Sequence, residues 1–234
     1  MRNVLITGGS AGLGKELVKS FINEGYNVYF TYYKTKPGKD LKDAVGIYCD
    51  LSSEEDIKKL LRKVKNIDIL VNNAAYECNK DFYDKKKKDF LYTMEVNLIG
   101  PFLISRELGK RMYDNKYGKI INISSNNAIN KYDSVTVEYD ASKAGVNVIT
   151  KILAKEFAPY VNVNAIAPGW ILTNRIKNLD DNLDNKLTED ESKKILLNRF
   201  ANPEEICNLI LFLASDKSSY INSEIIRIDG GTYE

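Results

Sequence analysis

Short apolar runs, rich in Val and Ile, alternate along this chain with longer stretches of helical period. The strand-like runs fall at residues 4–7, 28–31, 45–49, 67–72, 119–124, 161–166 and 224–228. Between the first two, Leu13, Leu17, Val18, Phe21 and Ile22 recur on one helical face, and Gly25 stands where that helix should stop. Ser52-Ser53-Glu54-Glu55 reads as a capping box opening the next helix. Around Tyr139, the positions Ala141, Ala144, Val148, Ile149, Ile152 and Leu153 predict a helix with a buried apolar stripe. Pro203-Glu204-Glu205 opens another, with proline first and acids in the first turn. This alternation predicts an α/β fold, a seven-stranded parallel sheet with helices on both faces, as a single domain over residues 1–234. Residues 174–190 break the pattern. Polar and rich in Asp and Asn, they read as a loop within a lid covering residues 174–200.

Composition narrows the class. With 44% hydrophobic residues, the 234-residue chain has ample material for a core. Lys+Arg 34 against Asp+Glu 32 leaves a net charge of +2, which gives no case for nucleic-acid binding. The run Lys85-Lys86-Lys87-Lys88, flanked by Asp84 and Asp89, reads as a solvated helix face. Cys49, Cys78 and Cys207 lack metal spacing, and with no histidine in the chain no metal site is expected. Cys49 and Cys207 lie in apolar stretches and read as core thiols, which fits a reducing compartment. A strand pattern begins at Val4-Leu5-Ile6, so no signal sequence is read, and the longest apolar run, 209–214, is too short to cross a bilayer. The expectation is a cytoplasmic protein without a membrane partner.

The missing histidine removes the usual proton carrier at neutral pH. Tyr139 and Lys143 share one face of a helix at i, i+4. An ammonium so close favours phenolate and lowers a tyrosine pKa from its free value of about 10. Far upstream, Thr7-Gly8-Gly9-Ser10-Ala11-Gly12-Leu13-Gly14 joins the first strand to the first helix. Glycines let the backbone turn tightly there, and the helix N-terminus offers free N–H groups to a phosphate. Gly9-x4-Gly14-Lys15 nearly matches a P-loop, but Glu16 stands where Ser or Thr must hold magnesium. Glycines at 8, 12 and 14 suit a dinucleotide instead. The second strand ends in Thr31-Tyr32-Tyr33-Lys34-Thr35-Lys36, with no acid for the ribose 2′-OH of NAD. Lys34 meeting a 2′-phosphate favours NADP(H) over NAD(H); the alternative is a solvated loop lysine.

Together these segments resemble the short-chain dehydrogenase/reductase family across nearly the whole chain. Gly8-x3-Gly12-x-Gly14 resembles its cofactor loop, and Asn72-Asn73-Ala74-Ala75 its Asn-Asn-Ala-Gly segment. Tyr139-x3-Lys143 resembles its catalytic motif, and Pro168-Gly169 followed by Thr173 its nicotinamide-side segment. The resemblance implies a Rossmann fold and hydride transfer between NAD(P)(H) and a ketone/secondary-alcohol pair. Tyr139 would give the carbonyl oxygen its proton, and act as base in the reverse direction. Lys143 would hold the nicotinamide ribose and depress the tyrosine pKa. Ser125 would hydrogen-bond the carbonyl, with adjacent Ser124 as the alternative, because only one of the two faces the site. Asn97 would anchor the water of a proton relay reaching Lys143, or else cap or kink its helix. The implied cofactor contacts begin in the loop with Gly8, Gly9, Ser10, Gly12, Leu13 and Gly14, and past the second strand with Tyr33 and Lys34. Asp50 and Leu51 would edge the adenine, Asn73 and Ala74 the ribose side. Pro168, Gly169, Ile171 and Thr173 would meet the nicotinamide, together with Tyr139 and Lys143. Ala75 departs from the family's glycine, and the segment after Thr173 is longer and more acidic than in compact members.

Within the family, the run 199–206, Phe212-Leu213-Ala214-Ser215-Asp216 and Asp229-Gly230-Gly231 most resemble 3-oxoacyl-(acyl-carrier-protein) reductases. Lys116, Lys119 and Lys155 would offer an acidic carrier protein a basic surface. The alternative substrate is a sugar, polyol or other small alcohol, used with NAD(H). A catalytically silent dinucleotide-binding sensor or scaffold is the alternative of another class. The resemblance also implies a homotetramer or homodimer, packed through the helices around Asn97 and Tyr139 and the C-terminal strand.

Overall fold

Strand β1 (Asn3–Ile6) lies inside the sheet, and its Val4, Leu5 and Ile6 are all fully buried, as a strand covered on both faces requires. The computed structural model describes residues 1–181 and 186–233. On one side of β1 follow β2 (Asn27–Tyr32) and β3 (Val45–Tyr48). On the other follow β4 (Ile69–Asn72), β5 (Gly118–Ile123), β6 (Val161–Pro168) and β7 (Ile225–Ile228). The order is β3-β2-β1-β4-β5-β6-β7 and every pairing is parallel. This is the predicted seven-stranded Rossmann-type sheet, with strand ends slightly shifted.

Alternation along the strands splits the core in two. Val4, Ile6, Ile69 and Val71 pack with helices α1 (Gly12–Asn23) and α8 (Pro203–Ala214) on one face. Leu5, Leu70, Ile120 and Val163 pack on the other with α2 (Glu54–Lys63), α4 (Gly100–Asp114) and α5 (Val137–Glu156). Helix α1 stops as its sequence predicts. Gly25 takes φ +79, its N–H bonds Ile22 O, and the Tyr26 N–H bonds Phe21 O. The cap of α2 is one residue later than expected: Ser53 accepts from the Asp56 N–H, so Asp56 takes the place predicted for Glu55.

Four expectations need correction. Residues 174–190 contain two short helices, α6 (Asn174–Asp181) and α7 (Lys186–Ser192), rather than a loop; residues 182–185 lie outside the described residues. Short polar helices depend on tertiary anchors that composition does not reveal. On α5 only the end of the predicted apolar stripe is covered: Leu153 is buried and Ile149 half-buried, but Ala141 and Ala144 are exposed, and Val148 and Ile152 are each 59% exposed. Its inner face carries Ser142, Lys143, Val146, Thr150 and Leu153. The lysine run is not a solvated helix face throughout, because α3 begins at Lys87 (Lys87–Met94) and the Lys85 side chain is buried. Lys119 is also buried, its Nζ donating to Asn162 Oδ1 at 2.9 Å, so only Lys116 and Lys155 of the three remain at the surface.

All three cysteines are free and buried. Among the described residues, no helix is long and apolar enough to cross a membrane.

Candidate active site

The strand order reverses between β1 and β4, so the loops leaving their C-terminal ends diverge and open a crevice. A cleft of about 580 Å³ occupies this place. The glycine loop forms one wall. Gly8 and Gly12 take φ +69 and +53, a backbone that side chains with a Cβ rarely adopt. Ala11, the N-cap of α1, has no capping side chain, and the first turn holds no acid. The N–H groups of that turn are therefore available to an anion. Gly14 permits close approach, since a Cβ there would lie 2.1 Å from Gly8 O and 2.6 Å from Asn73 Nδ2. Asn73 fastens the end of β4 to this loop: its Nδ2 donates to Thr7 O (2.9 Å) and Gly8 O (3.3 Å), and its N–H to Thr7 Oγ1 (2.9 Å). An uncapped helix end, a tight glycine turn and an elongated cleft fit the pyrophosphate of a dinucleotide.

At the end beyond β2 and β3 the lining residues are Tyr33, Lys34, Thr35, Asp50 and Leu51. Lys34 is exposed, its Nζ 5.8 Å from the Tyr33 ring centroid. Asp50, the one acid among the described lining residues, turns Oδ1 to Ser52, accepting from its N–H (2.9 Å) and Oγ–H (2.7 Å).

At the opposite end Tyr139 lines the cleft beside Gly169, Trp170, Ile171 and Thr173. Lys143 lies one turn along α5, fully buried, 5.5 Å from the centroid of the Tyr139 ring, with Nζ donating to Ile123 O at 2.6 Å. Burial pulls its pKa down from 10.5 to about 8. The neighbouring serines diverge as strand alternation requires. Ser124 Oγ donates to Lys143 O (3.3 Å), whereas Ser125 Oγ accepts the Asn127 N–H (3.2 Å). Asn97 sits in a π-helical turn (Glu95–Ile99) that continues into α4. Its Oδ1 accepts the Tyr76 N–H (2.7 Å), and its Nδ2 donates to Tyr76 O (2.8 Å) and Ser142 Oγ (3.0 Å). The amide thereby ties the cleft wall at Tyr76 to the helix carrying Tyr139.

The cleft thus gathers Gly8, Ser10, Gly12, Leu13, Gly14, Tyr33, Lys34, Asp50, Leu51, Asn73, Ala74, Tyr139, Gly169, Ile171 and Thr173. Gly9, Lys143, Pro168, Ser125 and Asn97 stand outside its lining. Gly9 has a packing role instead: a Cβ there would lie 2.5 Å from Phe30 Cβ. Sequence reasoning missed Tyr76, Tyr92 and Trp170, which also line the cleft. Trp170 follows Pro168-Gly169 directly and could have been read from that position; Tyr92 arrives from α3 only through the fold. Burial raises the pKa of Tyr76 and pushes Tyr92 up to about 12, so neither phenol ionises near neutrality.

Trp170 stacks on Phe200 at 5.3 Å and lies under Lys131 at 5.2 Å. Its Nε1 donates to Glu191 Oε2 (3.1 Å), which also accepts from Lys131 (2.8 Å), while Lys194 donates to Oε1 (2.5 Å). Burial raises the Glu191 carboxyl, but the bonds from Lys131, Lys194 and Trp170 outweigh it and bring the pKa down to about 2 from 4.5. The depressed value makes this contribution to stability complete above pH 4.5 and lost as pH falls through 2. Trp170 is the sole tryptophan, so its emission reports on the anchor of α7. Glu191→Ala should red-shift that emission at pH 7; an unchanged spectrum would contradict the anchor.

A cleft of this construction at the switch point of a parallel sheet is that of a dinucleotide-binding protein. Residues 8–233 match the family described as Enoyl-(Acyl carrier protein) reductase. The chain belongs to the short-chain dehydrogenase/reductase family. It is 35% identical to a 3-oxoacyl-(acyl-carrier-protein) reductase of Aquifex aeolicus, over 98% of this chain and 96% of that one. It is equally 35% identical to an NAD-dependent glycerol dehydrogenase of Listeria innocua, over 97% of this chain and 92% of that one. Among solved structures, a putative gluconate dehydrogenase of Agrobacterium tumefaciens superposes with a TM-score of 0.89 at 30% identity, covering 98% of this chain and 94% of that one.

Proposed function

We propose that this protein is an NADP(H)-preferring reductase that interconverts a ketone and a secondary alcohol, with Tyr139 as its acid/base. The observation that carries the reading is a phenol on the cleft wall with a buried ammonium one helical turn behind it. The bound nicotinamide supplies or accepts the hydride. The N–H groups at the start of α1 hold the pyrophosphate, Asn73 and Ala74 border the ribose, and Ile171 and Thr173 meet the carboxamide. Tyr139 donates its hydroxyl proton to the carbonyl oxygen, and the Lys143 charge favours the phenolate left behind. Ser125 steadies the developing negative charge from the end of β5. Asn97 keeps the Tyr139 helix in register with the Tyr76 wall and anchors the relay water that restores the proton.

A 3-oxoacyl thioester is the first substrate reading, supported by the likeness to the Aquifex reductase. Exposed Lys116 and Lys155 would then face an acidic carrier protein. The likeness to the glycerol and gluconate dehydrogenases supports a second reading, a small polyol or sugar acid used with NAD(H). The outward apolar stripe of α5 supports a homodimer or homotetramer built through α4 and α5. A cytoplasmic setting, with no nucleic-acid or membrane partner, completes the proposal.

Cofactor preference is tested by titrating the protein with NADPH and NADH and following nicotinamide fluorescence. The parent should bind NADPH more tightly. Lys34→Glu should weaken NADPH roughly 10- to 100-fold, the equivalent of about 1.5–3 kcal/mol for a hydrogen bond to a charged group, and leave NADH little changed. NADH binding as tight as NADPH in the parent would overturn the preference.

A further inference from the structure

One member of the lysine run meets the catalytic helix. Lys85 Nζ lies 2.6 Å from Glu138 Oε2, with the two side chains only 3% and 0% exposed. The same Nζ donates to Cys78 O at 2.9 Å, and Glu138 Oε1 accepts the Cys78 N–H at 3.2 Å. Both backbone polar groups of Cys78 are therefore held by this pair.

Stability does not account for such an arrangement. Removing two charges from water is costly, and apolar residues of similar volume commonly serve a fold as well or better. The pair gives position. Glu138 immediately precedes Tyr139 in the first turn of α5, and Cys78 ends the segment whose Ala75 and Tyr76 line the cleft with Tyr139. That segment is already tied once, at Tyr76, by the Asn97 amide. The ion pair ties it a second time, two residues further on, directly to the turn that bears the phenol.

We propose that Lys85 and Glu138 are positioning residues, a buried clasp that through both backbone polar groups of Cys78 fixes the 75–78 wall of the cleft against the Tyr139 turn during carbonyl reduction. The inference rests on the reading of Tyr139 as acid/base. Asn73 is bonded to Thr7 and Gly8 independently of the clasp, so the pyrophosphate end of the cofactor site should keep its affinity without it.

The test uses two double variants of the full chain beside Tyr139→Phe. Lys85→Met/Glu138→Met removes both charges and both bonds to Cys78. It should bind NADPH with an unchanged Kd and lose roughly ten- to hundredfold in kcat/KM, the effect of displacing a reacting group by up to about an ångström. Lys85→Gln/Glu138→Gln keeps an acceptor for the Cys78 N–H and a donor for its carbonyl, and should recover most of that loss. The proposal is overturned if the methionine pair retains parental kcat/KM, or if the glutamine pair is equally impaired. A methionine pair that does not fold, or loses cofactor affinity in step with activity, makes the clasp a stabilising element and also overturns it. Should Tyr139→Phe retain full turnover, the catalytic reading itself fails; a dead Tyr139→Phe beside a fully active methionine pair removes only the clasp.

Discussion

Tyr139→Phe should lower kcat roughly 10²- to 10⁴-fold, the usual contribution of a positioned general acid, while leaving the Kd for NADPH unchanged. Phenylalanine keeps the ring that forms the cleft wall and deletes only the hydroxyl. No other group takes over. The chain has no histidine, and burial keeps the Tyr76 and Tyr92 phenols protonated far above neutrality. Steady-state rates together with a fluorescence titration separate the two effects. Undiminished turnover would reject the mechanism, whatever happened to binding.

Lys143→Met should abolish most turnover as well, and it carries a second signature in stability. Burial lowers the folded-state pKa of Lys143 to about 8, against an ordinary value of 10.5. Between these values the unfolded chain binds more protons than the folded one, so the Lys143 contribution to stability rises with pH across that window. The charged lysine imposes its full penalty below pH 8 and sheds it as pH climbs toward 10.5. The difference amounts to roughly 3 kcal/mol at 1.36 kcal/mol per pKa unit. Urea unfolding of the cofactor-free parent and of Lys143→Met at several pH values reads this part together with any coupled titration of Tyr139, because the other tyrosines titrate alike in both proteins. The parent should gain on the variant from pH 8 upward. A flat difference would mean that Lys143 is not a buried charge in the folded protein.

Local chemistry was the legible part of this chain. The glycine loop could be read because Gly8, Gly12 and Gly14 serve a turn and a helix end built from the same few residues. The sheet followed from short β-branched runs, of which the central β1, β4 and β5 are buried on both faces. What failed depended on distant partners. The α5 stripe had a helical period, yet periodicity does not say which face the sheet will cover, and here the buried face holds Lys143, Ser142 and Thr150. Lys85 reads as solvated beside three other lysines, because Glu138 is remote in sequence. Helices α6 and α7 were hidden by their Asp and Asn content, and α7 is anchored by Glu191 through Lys131 and Trp170, residues from two other loops. Strand alternation required one of Ser124 and Ser125 to turn away, and only the family resemblance favoured Ser125 for the site. The structure turns Ser124 toward the Lys143 carbonyl.

The most direct measurement is the initial rate of NADPH oxidation with a short 3-oxoacyl thioester, run beside NADH and beside a panel of small sugars and polyols with both oxidised cofactors. Turnover of a ketone/alcohol pair is expected, faster with the 2′-phosphorylated cofactor and lost in Tyr139→Phe. Tight cofactor binding with no turnover of any carbonyl or alcohol would contradict it, and would make the protein a dinucleotide-binding scaffold.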